Sequence, residues 1–324
     1  MDSSPRELGS SGVFVGPLGL GCWPLAGMTR AGITHTMAVA TVAAAIDAGI
    51  THLDTAYCYG ADGESERAIF AALVGRRREL VTIAGKCGIH WEPGRKQCVD
   101  GRPERIRREV DESLIRLNTD RLDLLYLHAP DPTIPIEETA GALAELLKEG
   151  KTLGVGASNC SSDLVARFAA TCPLSACQMP FNMLQREIEA EILPWCRARG
   201  VAMVVYWPLM KGLLAGGMTR DQVFPTTDSR HKYPMFNGEE FQRNLDVVDV
   251  LKMVAARLSC PVADVVLAWT AEQPGITSVL FGATSPDQAR TNAQALHCEL
   301  DDEARQAIAA AVQARGPVAG RRAV

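Results

Sequence analysis

Short apolar runs alternate along the chain with segments in which apolar residues recur every three or four positions. The runs fall near residues 18–21, 52–54, 81–86, 122–128, 153–157, 176–179, 201–206 and 278–281. Most are continuously apolar rather than alternating, the pattern of strands covered on both faces. Between them, Val39, Val42, Ala43 and Ile46 form one helical stripe, and Ile106, Val110, Leu114 and Leu117 form a second. Leu143, Leu146 and Leu147 form a third, which Gly150 is suited to stop.

Strict strand–helix alternation implies a parallel sheet with right-handed crossovers. Eight such units in 324 residues predict an α/β protein of the (β/α)8 barrel type rather than a doubly wound sheet. The doubly wound dinucleotide fold also lacks its fingerprint. Gly154-Val155-Gly156 is followed by Asn159 where a third glycine belongs, and Gly16, Gly19 and Gly21 have the wrong spacing. Three segments lie outside the repeat. Residues 6–15, around Gly9-Ser10-Ser11-Gly12, read as a hairpin that plugs the bottom of the barrel. The polar stretch 218–238, with Pro225, Asp228, Arg230 and Pro234, is long enough to be a lid. Residues 301–311 read as an extra helix, followed by a frayed tail to Val324. No domain boundary interrupts this pattern, so a single domain over 1–324 is expected, with its ordered core over about 6–313.

Composition narrows the function classes. The 33 Lys and Arg against 38 Asp and Glu give a net charge of −5, without the electrostatic footprint of a nucleic-acid binder. No apolar stretch reaches the ~18–20 residues of a membrane span. Residues 1–11 are polar and lack the apolar core of a secretory leader. The ten cysteines include no pair closer than Cys172 and Cys177, so neither a disulfide framework nor a metal site is expected. Reduced, mostly buried thiols and a cytoplasmic location follow.

Barrel chemistry sits at the C-terminal ends of the strands. Those ends carry Asp54, Lys86, His128, Ser158 with Asn159, Gln178 and Tyr206. Any one of them alone is as well explained by a structural role; their recurrence at one position of the repeat is what points to a site. Asp54, Lys86 and nearby Tyr59 make a chain of carboxylate, ammonium and phenol. An adjacent ammonium lowers a phenol's pKa, which predicts Tyr59 as an acid–base group tuned toward working pH. A neutral His128 could orient a substrate oxygen and stabilise charge developing on it. Such a set suits proton transfer to a carbonyl oxygen while hydride reaches the carbon.

The stretch from Gly49 to Gly60, with Asp54-Thr55-Ala56-Tyr57-Cys58-Tyr59, followed by Gly63, Ser65 and Glu66, resembles the first signature of the aldo-keto reductases. Arg121-Leu122-Asp123-Leu124-Leu125-Tyr126-Leu127-His128 is similar to the second, and Glu149-Gly150-Lys151 with Gly154-Val155-Gly156-Ala157-Ser158-Asn159 to the third. The similarity runs from about Leu8 to Ala311. It implies Asp54, Tyr59, Lys86 and His128 as the catalytic four, and NADP(H) as cofactor, with NAD(H) not excluded.

By that resemblance Ser158, Asn159 and Gln178 hold the nicotinamide carboxamide, Tyr206 stacks on its ring, and Trp23 and Asp54 border it. Trp207, Pro208, Leu209 and Gly212 lie beside the pyrophosphate, Trp207 standing where many relatives have serine. Arg230 falls where relatives place a phosphate-binding arginine. Gly282, Thr284, Gln288 and Asn292 resemble the adenosine site, but lack the basic residue that many relatives place near Thr284 or Gln288. A lower KM for NADPH than for NADH is nonetheless expected from the resemblance. Trp23, Tyr57, Tyr59, Trp91 and His128 are the expected substrate walls, suited to a neutral carbonyl compound. Glu92, Arg95, Lys96 and Arg105, in the same loop as Trp91, leave an acidic or sugar substrate open.

The expected activity is therefore hydride transfer between a nicotinamide cofactor and a small carbonyl or alcohol. The family fold also serves channel auxiliary proteins, so a cofactor-sensing subunit with little turnover is the alternative. A metal-dependent barrel hydrolase fits poorly, with only His128 and His90 near strand ends. Oligomeric state is not legible in the sequence.

Overall fold

The computed structural model describes residues 2–29, 32–94, 96–226 and 228–318. The strands are, in chain order, β1 (Arg6–Glu7), β2 (Phe14–Val15), β3 (Leu18–Gly21), β4 (His52–Asp54), β5 (Thr82–Cys87), β6 (Ile89–Glu92), β7 (Lys96–Val99), β8 (Leu122–Leu127), β9 (Thr152–Ser158), β10 (Ala176–Pro180), β11 (Ala202–Tyr206) and β12 (Ser278–Gly282). Strands β3, β4, β5, β8, β9, β10, β11 and β12 close into a barrel in that order, β12 pairing back to β3. All the barrel pairings are parallel. This is the (β/α)8 barrel that the alternating pattern predicts, with each strand within a residue or two of its expected place.

The helices are α1 (His35–Asp47), α2 (Glu64–Leu73), α3 (Pro103–Leu117), α4 (Ile136–Lys148), α5 (Ser162–Thr171), α6 (Ile192–Arg199), α7 (Gly238–Leu258), α8 (Val262–Ala271), α9 (Pro286–Ala293) and α10 (Asp302–Arg315). The extra helix expected from residue 301 is α10; the tail at 319–324 lies outside the described residues. No helix of the described residues is long and apolar enough to cross a membrane.

Side chains of successive strand residues point to opposite faces, and here that parity sorts the core into two compartments. Leu53, Ile83, Leu125, Val155, Cys177, Val205, Val279 and Phe281 face outward into the shell of helices. Ala84, Leu124, Tyr126, Ala176, Val204 and Leu280 face inward. The expected N-terminal hairpin forms from β1 and β2, and Leu8, Val13 and Val15 join the inward cluster. Its place at the bottom is fixed by Thr82 Oγ1, which donates to Phe14 O at 2.8 Å just where β5 begins. Along the inward face the even-numbered residues Asp54, Lys86, Ser158, Gln178 and Tyr206 come last, so one parity rule delivers them together to the top.

Two glycines make room for bulk inside the barrel. A Cβ on Gly19 would lie 2.8 Å from the His52 ring, which shares a 3.1 Å hydrogen bond with Ser278 Oγ. A Cβ on Gly156 would lie 2.3 Å from the Tyr126 ring. Because Tyr126 is fully buried, it has nowhere to retreat. Gly156→Ala should cost roughly 1–3 kcal/mol as an overpacked core, read as a lower midpoint in urea unfolding. An unchanged midpoint would show that the ring has slack.

Candidate active site

At the end of β4, Asp54 is 2% exposed, and so is Lys86 on β5. They form a buried ion pair through Lys86 Nζ and Asp54 Oδ1. The ammonium group also donates to Thr55 O at 3.0 Å and to the Tyr59 hydroxyl at 3.1 Å. Asp54 Oδ2 accepts from Gln178 Nε2 at 2.7 Å. The Tyr59 ring meets Trp23 edge-on at 5.1 Å and His128 at 5.7 Å between centroids. The four expected catalytic residues are thus brought together: Lys86 reaches the Tyr59 hydroxyl, Asp54 holds Lys86, and the His128 ring stands beside the Tyr59 ring.

The electrostatics differ from expectation at Tyr59. Burial pushes its hydroxyl well above the usual phenol range, and the Asp54 carboxylate adds to the shift. The expected acidification by Lys86 does not prevail, because Asp54 already meets that cation and loss of water dominates. The phenol therefore holds its proton firmly. Burial, with a smaller push from Lys86, takes His128 down to about 3, so its imidazole is neutral across ordinary pH. Cys58, whose Sγ lies 3.5 Å from His128 Nδ1, is raised to about 12 by burial and is a poor nucleophile.

The loop that carries Tyr59 is stapled from outside. Arg116 on α3 donates to Tyr57 O at 3.3 Å and to Glu66 Oε2 at 3.1 Å. Glu66, on α2, is fully buried, and Thr55 and Ser65 share a 2.8 Å hydroxyl contact beneath the same loop. Tyr57, expected as a substrate wall, is committed elsewhere. Its hydroxyl donates to Glu112 Oε2 at 2.6 Å and the Arg116 guanidinium lies 4.5 Å over its ring. Its aromatic face therefore serves α3. Trp91, by contrast, reaches the centre: its Nε1 donates to Cys58 O at 2.9 Å, and like Trp23 it packs against the cluster of Ala56, Cys58 and Tyr59.

The residues expected to meet a cofactor form a connected rim. Ser158 Oγ donates to Gln178 O at 3.0 Å, and Asn159 Nδ2 donates to His128 O at 2.9 Å. The Tyr206 hydroxyl donates to Asn159 Oδ1 at 2.7 Å, which fixes the ring at the mouth. Trp207 follows edge-on, and Leu209 O accepts from the backbone of both Gly212 and Leu214. Farther round, Ser285 caps α9, and Thr284 N–H donates to Gln288 Oε1 at 2.8 Å, while Asn292 reaches Gly282 O at 3.3 Å. Pro208 lies within the turn between Trp207 and Leu209. Arg230 is held by Asp228 and lies 4.6 Å over the Phe224 ring.

The aldo/keto reductase family model matches residues 17–313. The chain belongs to that family. It is 34% identical over 299 residues to the aldo-keto reductase YhdN of Bacillus subtilis, covering 92% of this chain and 90% of the relative. It is also 34% identical to the NADH-specific methylglyoxal reductase of Escherichia coli, covering 91% and 94%. Among solved structures, the glycerol dehydrogenase of Gluconobacter oxydans superposes with a TM-score of 0.90 at 32% identity, over 99% of this chain and 98% of the other. An aldo-keto reductase of Bacillus halodurans superposes with a TM-score of 0.77 at 29% identity, over 96% of each chain. The protein is accordingly an NAD(P)H-dependent oxidoreductase acting on carbonyl and alcohol groups.

Two contributors to this candidate site are not legible in the sequence. Thr55 acts through its backbone carbonyl, which no side-chain pattern reveals. Tyr233, in the expected lid segment, meets the Trp207 ring at 5.9 Å, and Lys211 lies about equally over both rings, 4.9 Å and 5.0 Å away. Short turns at Ser229–Lys232 and Pro234–Phe236 bury Met235 and Phe236, so the segment is anchored as well as polar. The Arg116 staple yields a stability prediction. Arg116→Leu leaves Glu66 buried without its cation and should cost about 3–5 kcal/mol. Chemical denaturation would measure it, and a loss below about 1 kcal/mol would mean that Glu66 finds another partner.

Proposed function

We propose that this aldo-keto reductase interconverts a small neutral aldehyde, ketone or sugar with its alcohol, with Tyr59 as the proton-transfer group. The observation that carries the reading is the Tyr59 hydroxyl, 3.1 Å from Lys86 Nζ and flanked by Trp23 and His128. Methylglyoxal and glycerol, named for two relatives, are both small and uncharged. Trp23, Trp91 and neutral His128 offer a wall of matching polarity.

The donor set fits a nicotinamide dinucleotide. Ser158, Asn159 and Gln178 combine hydroxyl and amide groups that satisfy both ends of a carboxamide. Tyr206, tethered by Asn159, offers a fixed ring face, and the start of α9 offers backbone N–H groups to a phosphate. When bound, the nicotinamide supplies or accepts a hydride at the substrate carbon. Trp23 and Trp91 exclude water from that carbon, and His128 orients the carbonyl oxygen toward Tyr59. Tyr59 gives its proton to that oxygen, and Lys86 stabilises the phenolate left behind.

The sequence resemblance favours NADPH, whereas the geometry of the adenosine turn favours NADH. Arg290, the one basic residue on α9, is paired with Asp287 at 2.7 Å. No other lysine or arginine stands between Gly282 and Asn292 to meet a 2′-phosphate. We infer a higher kcat/KM with NADH than with NADPH, and a shift toward NADPH in Thr284→Arg. Wild-type preference for NADPH would overturn this. The ten cysteines are unbridged, which supports a cytoplasmic location.

Tyr59→Phe should lower turnover by roughly 10²–10⁴-fold while cofactor affinity, titrated by nucleotide fluorescence, stays within a few-fold. In the wild type, reduction should be flat between about pH 6 and 8, since His128 is already neutral there and Tyr59 keeps its proton. Alcohol oxidation needs the phenol deprotonated, so its rate should climb with pH over that range. An active Phe variant would remove Tyr59 from its role.

A further inference from the structure

The hairpin of β6 and β7 lies outside the proton-transfer machinery, and its two faces differ. Its antiparallel register sets His90 opposite Cys98 and Glu92 opposite Lys96. Side chains alternate along each strand, so His90, Glu92 and Cys98 share one face. Ile89 and Trp91 take the other, against Ala56, Cys58 and Tyr59. On the first face, one donor atom each of His90, Glu92 and Cys98 lies within 4.8 Å of the others.

A second observation is independent of that spacing. His90 Nδ1 is buried without a hydrogen-bond partner and stands 3.7 Å from Glu109 Oε1. Glu109 is fully buried on α3, holding Arg105 at 2.8 Å and the Gly88 N–H at 2.6 Å. A metal answers the unmet demand of Nδ1 in either of two ways. Nδ1 ligates the ion directly, or Nε2 does so while Nδ1–H turns to Glu109, the usual outer partner of a metal-bound imidazole.

We propose that this face binds one zinc-class divalent cation through His90, Glu92 and Cys98, with water completing a tetrahedron. A thiolate and an imidazole beside one carboxylate select Zn²⁺ over Mg²⁺ or Ca²⁺. Binding exchanges the Cys98 thiol proton for the metal and releases it to solvent, with no change of oxidation state. Trp91 sits in sequence between two of the ligands and donates to Cys58 O from the opposite face. The metal therefore braces, from outside, the strand that walls the substrate pocket. The absence of close cysteine or histidine pairs led the sequence to predict no metal site; strand pairing supplies the proximity that sequence spacing lacks.

The test titrates Zn²⁺ into the chelator-stripped full-length protein against a chromophoric chelator, and Co²⁺ as a spectroscopic probe. The expected result is one equivalent of Zn²⁺ and a thiolate-to-cobalt charge-transfer band. His90→Ala and Cys98→Ser should each weaken Zn²⁺ binding by at least about tenfold, and Cys98→Ser should abolish the band. Cys260→Ser should leave both intact; it removes a thiol remote from the hairpin, 3.9 Å from Cys298, where two sulfurs approach. The cobalt band of the unmutated protein reports thiolate ligation whatever the folding of a variant. Substoichiometric binding by the wild type, retained affinity in the two ligand variants, or loss of the band only in Cys260→Ser would overturn the proposal.

Discussion

A buried lysine–carboxylate pair organises the top of this barrel. Removing two charges from water is costly, and the cost is offset only when each remaining donor and acceptor is met. Lys86 Nζ carries three hydrogens, and three acceptors surround it: Asp54 Oδ1, Thr55 O and the Tyr59 hydroxyl. Asp54 spends its other oxygen on Gln178. The pair thereby ties the ends of β4, β5 and β10, which lie far apart in the chain, to one hydroxyl. Tyr59 is placed by the saturation of an ammonium group, and the Trp23 and His128 rings hold it from the sides.

The same burial sets how firmly Tyr59 holds its proton. A lone cation beside a phenol would acidify it, but here the cation is already balanced, so Tyr59 keeps its proton until a base of comparable strength appears beside it. An alkoxide forming on a substrate would be that base. When the proton leaves, the negative charge arises 3.1 Å from Lys86, where the stabilising group already stands and no water must reorganise. In the proposed mechanism the pair acts on the product of proton transfer rather than on the resting phenol.

Much of this was legible because a barrel repeats one rule. Short apolar runs, most of them continuous, marked all eight barrel strands, and the parity of side chains then forced Asp54, Lys86, Ser158, Gln178 and Tyr206 to a common rim. What escaped depended on contacts that the chain order hides. Tyr57 is a neighbour of Tyr59 in sequence, yet Glu112 and Arg116 on α3 claim it. The β6–β7 hairpin carries polar residues on both strands, so its alternation is weak, although Pro93-Gly94 gives a turn signal and Gly94 adopts a φ of 86°. Tyr233 joins Trp207 only because the polar segment folds back on itself, which no local pattern encodes.

Backbone strain singles out the same rim independently of any side-chain chemistry. Among the described residues, Asn118, Asn159, Trp207, Met210, Lys211 and Ser259 are the non-glycine residues with positive φ. Asn118 and Ser259 cap the C-terminal ends of α3 and α7, an ordinary use of that conformation. The other four lie at the barrel mouth, where each left-handed residue costs about 1–2 kcal/mol. Local bonds hold them there: Trp207 O accepts from Met210 N–H and from Asn182 Nδ2, and Asn159 is gripped by His128, Ser158 and Tyr206. Strain concentrated in a segment so tightly bonded is not slack in the fold. It sets backbone and ring directions that a relaxed turn would not supply, where the proposed cofactor would lie.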